Sequence, residues 1–449
     1  MRYPDLRFGQ VPLPEPGPGY EPAGDAVQLF SPGMTSPALE PIPGVQILDS
    51  FGEGSRFVVR VPDAWNGKLT VCGTPATRSE FANDLNLGDW LLARGYAFAS
   101  SNKGVPYNGV FEPASETPDP SVVYPVPFDL YGLREAGTVV RGGALYPRRV
   151  PIGEWHEDMA RLTRAARAHV RAVTGRQPRR TYALGLSMGG GQVRWLLERH
   201  PELADGGVEW ASPFWSPQSS ILDYLPAFLR AMPAYVRSGF TDESAREAIH
   251  AAGFPPDRLQ DDPAHPSLWN DHYANVAPFY ADLTTFVFGS LLDPELHSQA
   301  GNPPNLTDPV SGAGGGEPGA SGFALPEVRA AYVPSAAARA NIAGFAHTGS
   351  LERPLIGVAG SADVFVTPAR NATGYLDAVR AAGRSDRYWQ YLVENGTHVD
   401  GYAIFGYGLR PILPFVWAAF ERMEQIVENG DVPAGAGTAR TIAEPGDIG

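Results

Sequence analysis

The sequence predicts an α/β fold, with a mostly parallel central sheet flanked by helices and a large insertion that breaks the pattern. Three observations predict it. From about residue 44, runs rich in β-branched and aromatic residues alternate with segments of helical period, as they do where a parallel sheet is covered on both faces. At 181–191 the run TYALGLSMGGG reads as a buried strand that turns through a glycine-flanked serine into a helix. The alternation stops after about 212 and resumes at 353, and the stretch between is the insertion.

Residues 1–43, with Pro12, Pro14, Pro16 and Pro18 close together, lack periodicity and are expected to be an extended segment that wraps the surface or stays mobile. The core is assigned to 44–212 and 351–428. It opens with VQILD at 45–49 and SRFVVRV at 55–61 as paired strands, then KLTVC at 68–72 as a third. DWLLARG at 89–95 suits a helix ended by glycine, and YAFAS at 96–100 suits the next strand. A longer helix is expected over about 155–173, where Met159, Leu162, Ala166 and Val170 recur near helical spacing and Gly175 stops it. Past the serine, QVRWLLERH at 192–200 reads as an amphipathic helix and GVEWAS at 207–212 as a strand.

The insertion, 213–350, is expected to form a lid or cap. Its first part, about 213–300, holds helix-compatible segments with many aromatics, whereas 301–323, rich in Gly, Pro and Ser, is expected to be a flexible loop. RPLIGVAG at 353–360 and RYWQYLV at 387–393 resume the sheet, the second as its last strand. A helix over about 412–428 follows, and the Gly-, Ala- and Pro-rich tail 429–449 is expected to be disordered.

The chemistry centres on the G-x-S-x-G run at 185–189, where Gly185 and Gly189 leave room for a strained turn that projects the Ser187 hydroxyl. A serine hydroxyl is a poor nucleophile at neutral pH. It needs a histidine to take its proton and a carboxylate to orient that histidine. GSADVFVTP at 360–368 puts Asp363 just past a strand end, and NGTHVDG at 395–401 puts His398 in the loop after the next strand. The chain order serine, acid, histidine is the one that accompanies such a turn in an α/β sheet. Asp400 is a second carboxylate near His398, without the strand-end placement of Asp363.

Other histidines offer alternatives to His398. His156, His169 and His200 read as surface or helix-end residues, and His250, His265, His272, His297 and His347 fall in the insertion. His272 is the reserve, as a lid residue or substrate contact. Attack on an ester creates an oxyanion, which backbone N–H groups would stabilise. One donor is assigned to Met188, directly after the serine, and the other to the loop after the third strand. Pro75 has no N–H, so Thr74 or Gly73 must supply it, with Thr74 favoured. Cys72, inside an apolar strand, reads as a small core residue.

Composition removes several other functions. The formal charge of −14 opposes non-specific attraction to nucleic acid or an anionic membrane. A single cysteine excludes an intramolecular disulfide and a cysteine-based metal cluster. No zinc, calcium, phosphate-loop or strand-flanked dinucleotide motif stands out, so neither metal nor cofactor is expected. With no apolar signal region after a basic start and no run of 18 apolar residues, the chain is expected to be cytoplasmic and not to span a membrane. The expected partner is a small-molecule or oligomeric ester, and nothing in the sequence speaks to oligomeric state.

Together, the runs GLSMG at 185–189, GSAD at 360–363 and GTH at 396–398 resemble the α/β-hydrolase superfamily over most of 44–428. Within it, WNGKL at 65–69, ASSNKG at 99–104 and HPELADGGVEW at 200–210 look like the tannase and feruloyl-esterase branch, including relatives described as 3-hydroxybutyrate oligomer hydrolases. The resemblance implies hydrolysis of carboxylic esters, with Ser187, Asp363 and His398 carried onto the triad. Members of the tannase branch carry cysteines near the triad and this chain has none there. The expected function is therefore a serine carboxylesterase acting through an acyl-enzyme. Acyl transfer by the same triad is the alternative, with a peptidase or an inactive hydrolase-fold binding protein behind it.

Overall fold

The computed structural model describes residues 1–14, 36–52, 55–76, 78–104, 151–256, 277–293, 330–401 and 408–449, with three short strands between 112 and 141. In chain order the strands are β1 (Arg2–Tyr3), β2 (Gly44–Gly52), β3 (Ser55–Pro62), β4 (Lys68–Gly73), β5 (Ala97–Ser101), β6 (Glu112–Pro113), β7 (Val123–Pro125), β8 (Thr138–Arg141), β9 (Arg180–Leu186), β10 (Gly206–Trp210), β11 (Leu355–Gly360), β12 (Tyr388–Val393) and β13 (Ala439–Ile442). The helices that matter here are α1 (Asp89–Ala93), α2 (Ile152–Thr174), α3 (Met188–Arg199), α4 (Ile221–Arg237), α5 (Glu243–Ala251), α6 (Ala277–Leu292), α7 (Ala336–Ala343), α8 (Pro368–Ala381) and α9 (Leu413–Asn429).

Ten strands form one sheet in the order β1-β2-β3-β5-β4-β9-β10-β11-β12-β13, while β6, β8 and β7 pair separately. The pairs β1–β2, β2–β3 and β3–β5 are antiparallel and every later pair is parallel. This is an α/β-hydrolase fold. The parallel strands β4, β5, β9, β10 and β11 are buried at almost every position, as a sheet covered on both faces requires. Neighbouring residues of β10 show that cover: a side chain at Gly206 would meet Met423 and Val427 of α9, and one at Gly207 would meet Val193 and Leu197 of α3.

Chain direction across the sheet fixes where a site can form. From β4 the chain moves outward to β5, then returns across β4 to β9 on its other side, so connections diverge between β4 and β9. Open α/β sheets bind ligands at such a switch point, beyond the carboxyl ends of the strands. Register aligns those ends: Gly73 lies opposite Gly185, Leu186 opposite Trp210, Trp210 opposite Val358, and Gly360 opposite Val393.

Several sequence expectations are corrected. The tail 429–449, expected to be disordered, carries β13, which pairs parallel to β12 with Ile442 opposite Val393, so β12 is not the last strand. Its glycines make turns: Gly430, Gly435 and Gly437 all have positive φ, and Gly437 donates to Tyr388 O at 2.7 Å. Burial of Ile442 and Ile448 then anchors the segment. The described part of the opening segment packs down through Leu6, Val11 and Ile42, with β1 adding an edge strand. The helix after the serine begins at once, at Met188, because Gly189, Gly190 and Gly191 continue it under tertiary contact despite their poor intrinsic propensity. The expected flexible loop at 301–323 lies outside the described residues, as do His265, His272 and His297.

Candidate active site

Ser187 follows β9 directly and caps α3, with φ +55° and ψ −122°. A residue with a Cβ holds such a backbone at a cost of about 1–3 kcal/mol, so its surroundings must impose it. They do so from three sides. Ser187 N donates to Trp210 O at 2.7 Å, tying the turn to the next strand. Gly73, Gly185 and Gly189 meet behind the serine, where a Cβ on any of them would run into the backbone of another. The guanidinium of Arg194 on α3 meets Glu209 of β10 at 2.6 Å, and the Tyr388 hydroxyl donates to the same carboxylate oxygen at 2.7 Å. This pair is almost fully buried, and such a pair contributes fixed geometry more than net stability.

The structure brings Asp363 and His398 together. Asp363, three residues past β11, is fully buried, and its Oδ1 accepts the N–H groups of Phe365 at 2.8 Å and Val366 at 2.9 Å. Its Oδ2 lies 2.7 Å from His398 Nδ1. A carboxylate oxygen can only accept there, so Nδ1 carries the proton and Nε2 is the basic nitrogen of the neutral ring. The Phe365 ring stands against His398 with centroids 5.6 Å apart and packs on Tyr280 of α6 at 4.0 Å.

Asp400, weighed in the sequence as a second acid, is engaged elsewhere. It caps the start of α9, accepting the N–H groups of Ile412 and Leu413. Burial raises it to about 7. Its position fastens the far side of the loop that carries His398.

A narrow cavity opens at the serine. Its core wall is Ala76, Ser187, Met188, Phe365 and Val366, and the insertion adds Pro213, Ile221 of α4 and Tyr280, Thr284 and Phe288 of α6. The lining is apolar except for the two hydroxyls of Ser187 and Thr284 and the phenol of Tyr280. Ser187 is only 6% exposed and His398 only 7%, so water reaches either group sparingly. Met188, as the first residue of α3, has an N–H with no acceptor inside its own helix.

Gly73 packs under Gly189, and Gly73 O accepts from Asn83 Nδ2 at 3.0 Å. Thr74 is fully buried and turns its hydroxyl to Ser101 O at 2.9 Å. Ala76, with φ +33°, is the residue of the loop after β4 that lines the cavity. The only polar groups an alanine can offer there are those of its backbone, and no sequence signal marks it. Cys72 is buried and free, and burial pushes its thiol up, in keeping with a core role.

Two histidines outside the candidate site are buried. His156, expected to be a surface or helix-end residue, is fully buried on α2, with Nδ1 2.9 Å from Ile152 O and the ring stacked on Phe345. His347 accepts Trp215 N–H on Nδ1 at 3.2 Å and therefore donates from Nε2 to Gly191 O at 2.9 Å, joining the insertion to α3. Apolar burial around a short polar link left no periodic trace in the sequence. Among the described residues, no cluster of His, Cys, Asp or Glu could hold a metal ion, and no helix is long and apolar enough to cross a membrane.

No family model matches the chain, and no curated protein matches it in sequence. Among solved structures it is similar to feruloyl esterase B from Aspergillus oryzae, at 13% identity over 92% of this chain and 87% of that one, with a TM-score of 0.44. It is also similar to the tannin acyl hydrolase from Aspergillus niger, at 13% identity over 91% of this chain and 81% of that one, with a TM-score of 0.42. A third similar structure is an esterase from Pyrococcus furiosus, at 12% identity over 89% and 98%, with a TM-score of 0.38.

Proposed function

We propose that the protein is a carboxylic ester hydrolase in which Ser187, His398 and Asp363 act as a triad through an acyl-enzyme. The observation that carries this reading is the Asp363–His398 hydrogen bond beside a cavity lined by a serine on a strained strand-to-helix turn. Ser187 Oγ attacks the ester carbonyl carbon, its proton passes to His398 Nε2, and the carbonyl π pair moves onto oxygen as the oxyanion. Collapse breaks the bond to the alcohol oxygen, which leaves with the proton from His398. Water then repeats the sequence on the acyl-enzyme, giving its proton to His398 and releasing the acid. Asp363, with one oxygen on two backbone N–H groups and the other on Nδ1, holds the imidazole in the required tautomer and stabilises the imidazolium as it forms.

The oxyanion would be met by the Met188 N–H and by an N–H from the loop after β4, where the sequence offers Thr74 or Gly73. No cofactor takes part in this scheme, and the partner it calls for is a small or oligomeric ester whose acyl portion enters the apolar cavity. Hydrolysis of short p-nitrophenyl esters by the wild type and by Ser187→Ala tests the reading. Loss of activity by about 10³-fold or more is expected, as removal of a triad nucleophile entails. A Ser187→Ala protein nearly as active as the wild type would exclude it.

A further inference from the structure

Lys103 lies two residues past the end of β5 with 1% of its surface exposed, and it plays no part in the triad. Its ammonium donates to Thr74 O at 2.8 Å, to Thr74 Oγ1, and to Pro75 O at 3.3 Å. An ammonium has three N–H groups, and three acceptors on the two residues that precede Ala76 lie within their reach. The arrangement is expensive in two ways. Taking an ammonium out of water costs several kcal/mol before its new contacts are counted. Lys103 also has φ +62°, which costs a residue with a Cβ about 1–2 kcal/mol.

Neighbouring side chains hold that backbone: Ser101 Oγ accepts Lys103 N at 3.4 Å, and Asn102 Oδ1 accepts Gly104 N and Arg56 N, each at 3.0 Å. The Ser101 hydroxyl in turn donates to Asp158, whose buried carboxylate interacts with the Lys103 charge. An apolar side chain would fill this space without a charge to neutralise. What it could not do is orient peptide groups.

In a trans peptide the C=O and the following N–H point in opposite directions. Drawing Thr74 O to Lys103 orients no N–H, because the next residue is Pro75. Drawing Pro75 O to Lys103 turns the Ala76 N–H away from the ammonium, and Ala76 is the residue of this loop on the cavity wall beside Ser187 and Met188. We propose that Lys103 is a positioning residue that fixes the loop after β4 so that the Ala76 N–H serves as the second oxyanion donor. This inference rests on the ester-hydrolase reading of the site and replaces Thr74 and Gly73 as the source of that donor.

The test compares wild type, Lys103→Met, Lys103→Arg and Thr74→Val with p-nitrophenyl acetate and with an alkyl trifluoromethyl ketone, whose serine adduct bears an oxyanion. Removing one oxyanion donor typically costs about 10²–10³ in kcat, and a displaced donor should cost part of that. Lys103→Met is expected to lower kcat by about 10- to 100-fold, to weaken ketone inhibition in parallel, and to change KM by less than about threefold. Lys103→Arg, which keeps the charge and donors, should recover part of both losses. A folded Lys103→Met enzyme whose kcat and ketone affinity match the wild type overturns the inference. If Lys103→Met does not fold, Thr74→Val decides, since loss of one of the three acceptors must lower kcat and ketone affinity together. Fluorophosphonate labelling of the wild type, absent in Ser187→Ala, separates the two readings. An unlabelled wild type removes the nucleophile and this inference with it, whereas a labelled wild type with an indifferent Lys103 removes this inference alone.

Discussion

Replacing Gly73 by alanine probes the contact on which the site geometry rests. Gly73 ends β4 opposite Gly185 and packs on Gly189 of the serine turn. A methyl group at Gly73 would sit 2.5 Å from Gly189 O and 2.7 Å from Gly189 Cα. Carbon to carbonyl-oxygen contacts in folded proteins lie at or above about 3.0–3.4 Å, so β4 and the turn must separate by about 0.5–0.9 Å. Neither side can yield cheaply, because both partners are backbone, one at the end of β4 and the other in the first turn of α3. Overpacking of this kind costs about 1–3 kcal/mol of stability. The larger effect should be on rate, since the shift moves Ser187 against the donor loop and misplacement near 1 Å can cost about 10²-fold. Gly73→Ala is therefore expected to lower kcat/KM for a short p-nitrophenyl ester by about 30- to 100-fold, mainly in kcat, with a thermal midpoint lower by a few degrees. A folded variant with kcat/KM within about threefold of the wild type would show that the turn tolerates displacement and that the glycine contact does not set the geometry.

Two further outcomes are expected. Burial depresses His156 to about 4 and His347 well below its ordinary value, the latter also repelled by His156 and Arg194. Because both folded-state values lie below those of the unfolded chain, the unfolded state takes up protons first. The support of His156 for the fold is complete above pH ~6.5 and is lost as pH falls from there toward about 4, and that of His347 is lost in the same direction. His156→Leu should flatten the fall in denaturant stability over that window by up to about 3 kcal/mol, and an unchanged pH slope would refute the assignment. The two carboxylates near His398 separate by role. Asp363→Asn should cost about 10⁴-fold in kcat, while Asp400→Asn, which alters a helix cap, should cost about 1 kcal/mol of stability and less than about tenfold in kcat. Equal kinetic losses for both variants would contradict that division.

The sheet and its order of elements were legible because buried parallel strands are nearly continuous in apolar residues, as YALGL before Ser187 and LIGVAG before Ser361 show. Ser187, Asp363 and His398 were legible as candidates because each follows such a strand at its carboxyl end. The tail was not legible, since β13 is four residues long with one buried side chain and its glycines look the same in a turn as in a disordered chain. His156 was misread because its surroundings become apolar only when Phe345 and His347 come together across the chain. Lys103 and Ala76 were hidden for a different reason. Their significance lies in which way a peptide group faces, and residue type says little about that.

The two outermost strands also bear on how copies of the chain meet. An exposed strand edge presents unpaired N–H and C=O groups that can recruit a strand from another molecule. Here β12, six residues almost fully buried and rich in aromatics, would be such a template, and β13 covers it. The covering strand has only four residues, three of them exposed, with Arg440 extending over Tyr391. At the opposite edge β1 has two residues, carries Arg2 in an ion pair with Asp63, and runs straight into Pro4. Short, charged and proline-stopped strands of this kind themselves offer an incoming strand few hydrogen bonds. Removing 431–449 would uncover β12 and invite sheet-to-sheet association, visible as light scattering at concentrations where the intact chain stays clear.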